Sequence, residues 1–239
     1  MKTNSRLLTF AALCGAVSFA SAGDITGKVT LKGTPPPEKE LTPLKNDPTC
    51  GPRFKEVNNG AVPMTRFYMA DSSGGLADVV VSITGLSGKS TGDSAKPLLI
   101  DQTGCEYTPY VSAVQTKQTI NVRNSDPVLH NVHVLPTADG NKESNKAQLP
   151  KTADIPYSFS APEEFLKFKC DVHPWMFAYV TVADHPYIAV TGKDGSFTIA
   201  NVPPGKYKLQ AAHRKGGVVT QEIEVTGGGA KADFSIEAK

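Results

Sequence analysis

The stretch Phe168-Lys169-Cys170-Asp171-Val172-His173-Pro174-Trp175-Met176 places a thiol, an imidazole and a thioether in one short loop. Such a loop can wrap a single soft metal ion. Upstream, His130-Asn131-Val132-His133 supplies a further imidazole. Two His, one Cys and a weakly held Met are the donors of an electron-transfer copper site, in which sulfur favours Cu(I) and imidazole satisfies Cu(II). Each residue also has an ordinary use: Cys170 as a small buried apolar side chain, Met176 as core filler, His130 as a hydrogen-bonded core histidine. Their joint spacing is what points to a metal. Zinc also takes Cys and His, but a thioether is foreign to its usual donor set.

Strands must carry these residues, because side chains two apart on a strand share a face. In residues 165–170, Leu166, Phe168 and Cys170 point one way and Lys167 and Lys169 the other. Met176 is in phase with Ala178, Val180 and Val182. On the upstream strand His130 shares a face with Val132 and Val134, which leaves His133 facing outward. His130, Cys170, His173 and Met176 are therefore the expected metal ligands, for one type 1 copper.

These segments resemble the cupredoxins, the small blue copper proteins, and most closely the amicyanin and plastocyanin type. The match rests on His130-Asn131-Val132-His133 and on Cys170-Asp171-Val172-His173-Pro174-Trp175-Met176, with a weaker likeness over residues 107–124. Where many cupredoxins turn with Pro-Gly between two strands, this chain has Thr116-Lys117. The resemblance implies a Greek-key β-sandwich, an Asn131 backbone N–H hydrogen-bonded to the Cys170 sulfur, and a His173 ring edge at the surface. Pro174 and Trp175 would then border a docking patch for a redox protein. His133, His185 and His213 are expected in surface or loop positions.

The first 22 residues read as a secretory signal peptide: Lys2 and Arg6, an apolar run over residues 7–19, then Ala20-Ser21-Ala22 before Gly23. That run is too short to span a bilayer, and Leu13 before Cys14 argues against a lipoprotein site. No later stretch reaches transmembrane length, so the mature chain is expected in the periplasm or outside the cell. Of 25 basic residues, Lys2 and Arg6 leave with the signal, so 23 remain against 23 acidic ones. A neutral chain gives no support for nucleic-acid binding or membrane attraction. Cys50, Cys105 and Cys170 remain in a compartment that permits disulfides. If Cys170 serves copper, Cys50 and Cys105 are a natural pair; free thiols or another partner are the alternative.

Nearly every regular segment reads as strand, giving an all-β chain. Residues 34–60 and 137–155 read as long surface loops. After residue 184, Asp194-Gly195 and Pro204-Gly205 suit tight turns. This region resembles the carboxypeptidase regulatory-like, transthyretin-like β-sandwich module, an accessory fold without fixed activity. Residues 97–184 are expected to form the cupredoxin domain. Residues 23–96 and 185–239 are expected to share the second sandwich, with the cupredoxin unit inserted between them, because 55 residues are few for an independent core. The expected function is one-electron transfer without catalysis, the alternative being copper delivery with a sandwich that binds a partner or carbohydrate.

Overall fold

Valine, isoleucine and aromatic residues alternating with polar ones favour extended backbone, and the structure is built almost wholly of strands. A computed structural model describes residues 21–239, so all but the last two residues of the expected signal peptide lie outside it. Strand β1 (Gly23–Lys32) is followed by helices α1 (Thr42–Asn46) and α2 (Cys50–Val57), then β2 (Val80–Ile83). The middle of the chain holds β3 (Leu98–Thr103), β4 (Glu106–Thr108), β5 (Val111–Gln115), β6 (Ile120–Asn124) and β7 (His130–Leu135). It continues with β8 (Ser144–Gln148), β9 (Ile155–Tyr157), β10 (Glu163–Lys169) and β11 (Phe177–Ala183). The last strands are β12 (Ile188–Val190), β13 (Ser196–Val202), β14 (Gly205–His213), β15 (Gly217–Val225), β16 (Ala230–Lys231) and β17 (Phe234–Glu237).

The middle strands form two sheets, ordered β5-β11-β10-β7-β8 and β4-β3-β6-β9. One apolar core joins them, including Ile100, Val122, Val132, Val134, Leu166, Phe168, Val180 and Val182. Between β5 and β6 the reversal uses Lys117 at φ 65°, a left-handed position where glycine is easier. A register shift in β10, with Phe165 at φ 51°, marks a bulge. Beyond it Leu166, Phe168 and Cys170 all face the core.

The remaining strands form sheets β12-β2-β14-β15 and β13-β1-β16, with β17 also pairing β1. Their core is separate and contains Ile25, Val29, Val81, Ile83, Ile199, Leu209, Phe234 and Ile236. Residues far apart in sequence are direct neighbours here: Ile25 is opposite Ile199, and Leu209 is opposite Ile83. A smaller apolar patch between the two cores holds Val80, Tyr110 and Val111.

Residues 34–60 are not the surface loop expected from their polar composition. They contain α1 and α2, and Leu44, Cys50 and Phe54 enter the core of the middle strands. Helices of five and eight residues are too short to show a hydrophobic period. Their supports are local: a proline in the first turn of α1, and the Asp47 carboxylate accepting the N–H groups of Thr49 and Cys50 at 2.9 and 2.7 Å. The segment 23–96 thus contributes to both cores. Residues 137–155 likewise contain β8, an edge strand paired with β7 whose only buried side chain is Gln148. A polar strand leaves no alternating apolar signal.

Of the histidines expected in surface or loop positions, His185 lies in the loop between β11 and β12 but is buried, and His213 is corrected to a buried position at the end of β14. His185 Nδ1 accepts the Tyr187 N–H at 3.1 Å. His213 Nδ1 accepts the Gly216 N–H at 2.9 Å, and its ring stacks on Tyr68 at 5.0 Å. Burial, with help from the Arg214 charge, lowers the His213 pKa to about 4. An unfolded chain protonates its histidines near about 6.5, so acidification from there to about 4 protonates only the unfolded state. Stability from this group is complete above the window and falls by up to about 3 kcal/mol across it. His213→Gln is expected to flatten that loss, read as the change in urea midpoint between about pH 7 and about pH 4.5. An undiminished pH slope in the variant would assign the effect elsewhere.

Candidate metal centre

β7 and β10 lie side by side, with Val134 opposite Phe168 and His133 opposite Lys169. This pairing brings His130, the first residue of β7, to the end of the sheet where β10 runs out at Cys170. The chain then reverses into β11. The Cys170 N–H donates to the Met176 carbonyl at 3.1 Å, and the Met176 N–H donates to the His173 carbonyl at 2.9 Å. The loop is thereby closed on itself.

His130, Cys170 and His173 converge, their ligand atoms all within 4.8 Å of one another. The two Nδ1 atoms are 3.0 Å apart, and Cys170 Sγ lies 3.7 Å from His173 Nδ1. Bonds of about 2.0 Å to imidazole nitrogen and about 2.3 Å to thiolate sulfur, the lengths zinc makes, span gaps of this size. Exposure is 0% for His130, 2% for Cys170, 1% for Met176 and 9% for His173. His133 stays outside the cluster, between Asp171 and Glu143 at 2.8 Å each. The Trp175 ring packs against His173 at 5.3 Å between centroids.

Asn131 fastens the loop to β7. Its Oδ1 accepts the N–H of Asp171 at 2.7 Å, the N–H of Val172 at 3.3 Å and the Cys170 thiol at 3.3 Å. Burial pushes the Cys170 thiol up, but His130 and the backbone N–H groups of Asn131, His173 and Val172 outweigh it, and the net shift is downward. Tyr107 closes the floor from β4, its hydroxyl donating to the Asn131 carbonyl at 2.7 Å.

Sequence reasoning missed Asp126, although it stands only four residues before His130. Its buried carboxylate lies 3.1 Å from His130 Nε2. It also accepts the N–H groups of Gly104 and Cys105 at 2.8 and 2.7 Å and the Arg53 Nε–H at 3.0 Å. Burial raises the Asp126 pKa, but these donors more than offset it and the net shift is downward. A carboxylate only accepts, so it selects the His130 tautomer protonated on Nε2 and leaves a lone pair on Nδ1. That lone pair faces His173 Nδ1 at 3.0 Å, a place for either a proton or a metal cation. Burial opposes charge on His130, yet Asp126 and Cys170 raise its pKa overall. Burial, followed by the His130 charge, lowers that of His173.

Cys50 and Cys105 are disulfide-bonded, with Cα atoms 5.5 Å apart and a sequence separation of 55. The bridge ties α2 to the turn between β3 and β4. Replacing both cysteines by alanine is expected to cost the copper-free protein about 4 kcal/mol, the chain-entropy value for such a loop. Its denaturant midpoint should fall accordingly, and an unchanged midpoint would show that the bridge adds nothing.

No family model and no curated protein matches the chain. Among solved structures, an oxidized proline-to-glycine mutant of amicyanin is 18% identical, with 43% of this chain and 97% of that chain covered and a TM-score of 0.33. A purple cupredoxin from Nitrosopumilus maritimus is 23% identical, covering 36% of this chain and 99% of that chain at a TM-score of 0.30. A copper-containing nitrite reductase from Thermus scotoductus SA-01 is 18% identical at a TM-score of 0.33, and the match spans 42% of this chain and 25% of the reductase.

Proposed function

We propose that this chain is a periplasmic or secreted type 1 copper protein that carries single electrons and performs no catalysis itself. The convergence of His130, Cys170 and His173 beside Met176 supports this reading most directly. Copper, when bound, supplies a centre that alternates between Cu(II) and Cu(I). The protein's part is to hold the donors still. Cys170 would provide the thiolate, His130 and His173 the imidazoles, and Met176 a weak thioether. Asn131, Asp126 and Tyr107 fix the segments that bear them. Deep burial of His130, Cys170 and Met176 favours retention of the metal over delivery to another protein.

A redox protein would dock by apolar contact at the same end. Leu129 next to His130, Leu149 next to its ladder neighbour Gln148, and Val172 next to His173 are all exposed. Pro174 is exposed beside them. With no net charge after signal removal, shape and apolar area suit such an encounter better than long-range steering.

The second sandwich, whose core draws on residues 25–31 and 67–86 together with 187–236, is read as a transthyretin-like accessory module into which the copper-binding unit is inserted. Among the described residues, no helix is long and apolar enough to cross a membrane.

Met176→Leu is expected to preserve a coloured copper site while changing its reduction potential, because a thioether is a weak donor and the other three donors would remain. Potentiometry with visible detection checks this. An unchanged potential would remove Met176 from the ligand set.

A further inference from the structure

The disulfide lies against both histidines of the cluster. Ligand-type atoms of Asp47, Cys50 and His173 lie within 4.8 Å of one another, and so do those of Cys105, Asp126 and His130. Each half of one bridge therefore abuts one imidazole. The two sulfurs are bonded to each other and are not available as donors to a metal.

The bridge also governs the groups that hold His130. Asp126 Oδ2 receives the Cys105 N–H at 2.7 Å and faces His130 Nε2 at 3.1 Å. Asp126 Oδ1 receives the Gly104 N–H at 2.8 Å and the Arg53 Nε–H at 3.0 Å. Arg53 belongs to α2, the helix that begins at Cys50. Gly104 and Cys105 have φ of 66° and 55°, so two successive left-handed residues turn both amides toward one carboxylate. Cys105 has a Cβ and is disfavoured in that conformation. Its sulfur bond to Cys50 and its carbonyl, which accepts Trp175 Nε1–H at 3.1 Å, hold it there. Asp126 is further anchored by its own N–H, which donates to Asn124 Oδ1 at 3.0 Å.

We propose that the Cys50–Cys105 disulfide, acting through Arg53 and Asp126, is the positioning device for His130, so that opening it loosens the grip on the metal. This rests on the copper reading above. Opening the bridge in the cell would take a dithiol reductant, which supplies two electrons and two protons, is itself oxidised to a disulfide, and leaves Cys50 and Cys105 as thiols.

The test compares copper-loaded wild-type protein with Cys50→Ala/Cys105→Ala, Arg53→Met and Asp126→Asn. The readouts are copper release to a Cu(I)-selective chelator, the visible band and the reduction potential. Unfolding of each copper-free variant is followed separately. Each variant is expected to release copper at least roughly 10-fold faster than wild type, as for lost outer partners of metal-bound histidines. The band and potential should shift too, which a mere loss of stability does not cause. Arg53→Lys should recover part of the effect, and Glu56→Gln, which removes the exposed partner of Arg53, should match wild type. If the double variant does not fold, Arg53→Met and Asp126→Asn decide. Wild-type release, band and potential in the folded variants would overturn the proposal while leaving the copper reading intact. A wild-type chain that binds no copper would overturn both.

Discussion

Cys170→Ser is expected to abolish the intense visible absorption of the copper-loaded protein. The colour of such a site comes from charge transfer out of a thiolate, and a serine hydroxyl neither ionises near neutral pH nor offers a soft donor. The structure makes the substitution informative, because Cys170 is buried at the end of β10 and its thiol donates to Asn131 Oδ1. A serine hydroxyl can keep that hydrogen bond. The Asn131 contacts to the Asp171 and Val172 amides do not depend on the sulfur. The copper-free variant should therefore unfold close to wild type while the loaded variant is colourless. A coloured Cys170→Ser protein would place the metal elsewhere.

Residues 185–239 expressed alone are expected to show no cooperative unfolding. Their β14 would lose β2, against which Leu209 is opposite Ile83 and Ala211 is opposite Val81. β13 and β17 would lose β1, including the pairs Ile25 with Ile199 and Val29 with Phe234. Each large apolar side chain left in water forfeits roughly 1.5–3 kcal/mol, and several are uncovered at once. The bare strand edges would also invite association. Far-ultraviolet circular dichroism and thermal unfolding of the fragment provide the check. A sharp transition without residues 23–96 would show that the C-terminal strands need no partner, against the inserted arrangement.

The strands that carry His130 and Cys170 were legible because residue type and periodicity coincide. Leu166, Phe168 and Cys170 alternate with lysines, and His130 is in phase with Val132 and Val134; all six are buried as that pattern requires. The pairing of β1 with β13 and of β2 with β14 covers apolar faces that have no local partner in the sequence. Other features had no local signal. α1 and α2 are too short for a period, and β8 is an edge strand with only Gln148 buried. His185 and His213 looked polar enough for the surface, yet each finds a backbone N–H to accept inside. Asp126 was hidden for a different reason. Its role depends on Arg53, Gly104, Cys105 and His130, which only the folded chain brings together.

The most direct measurement is titration of the signal-free chain with Cu(II), with metal content and visible absorption followed together. One copper per chain with intense thiolate-to-copper absorption, saturating at one equivalent, is the predicted result. A colourless Cu(II) complex, or no uptake, would contradict the assignment of His130, Cys170, His173 and Met176 as a type 1 copper site.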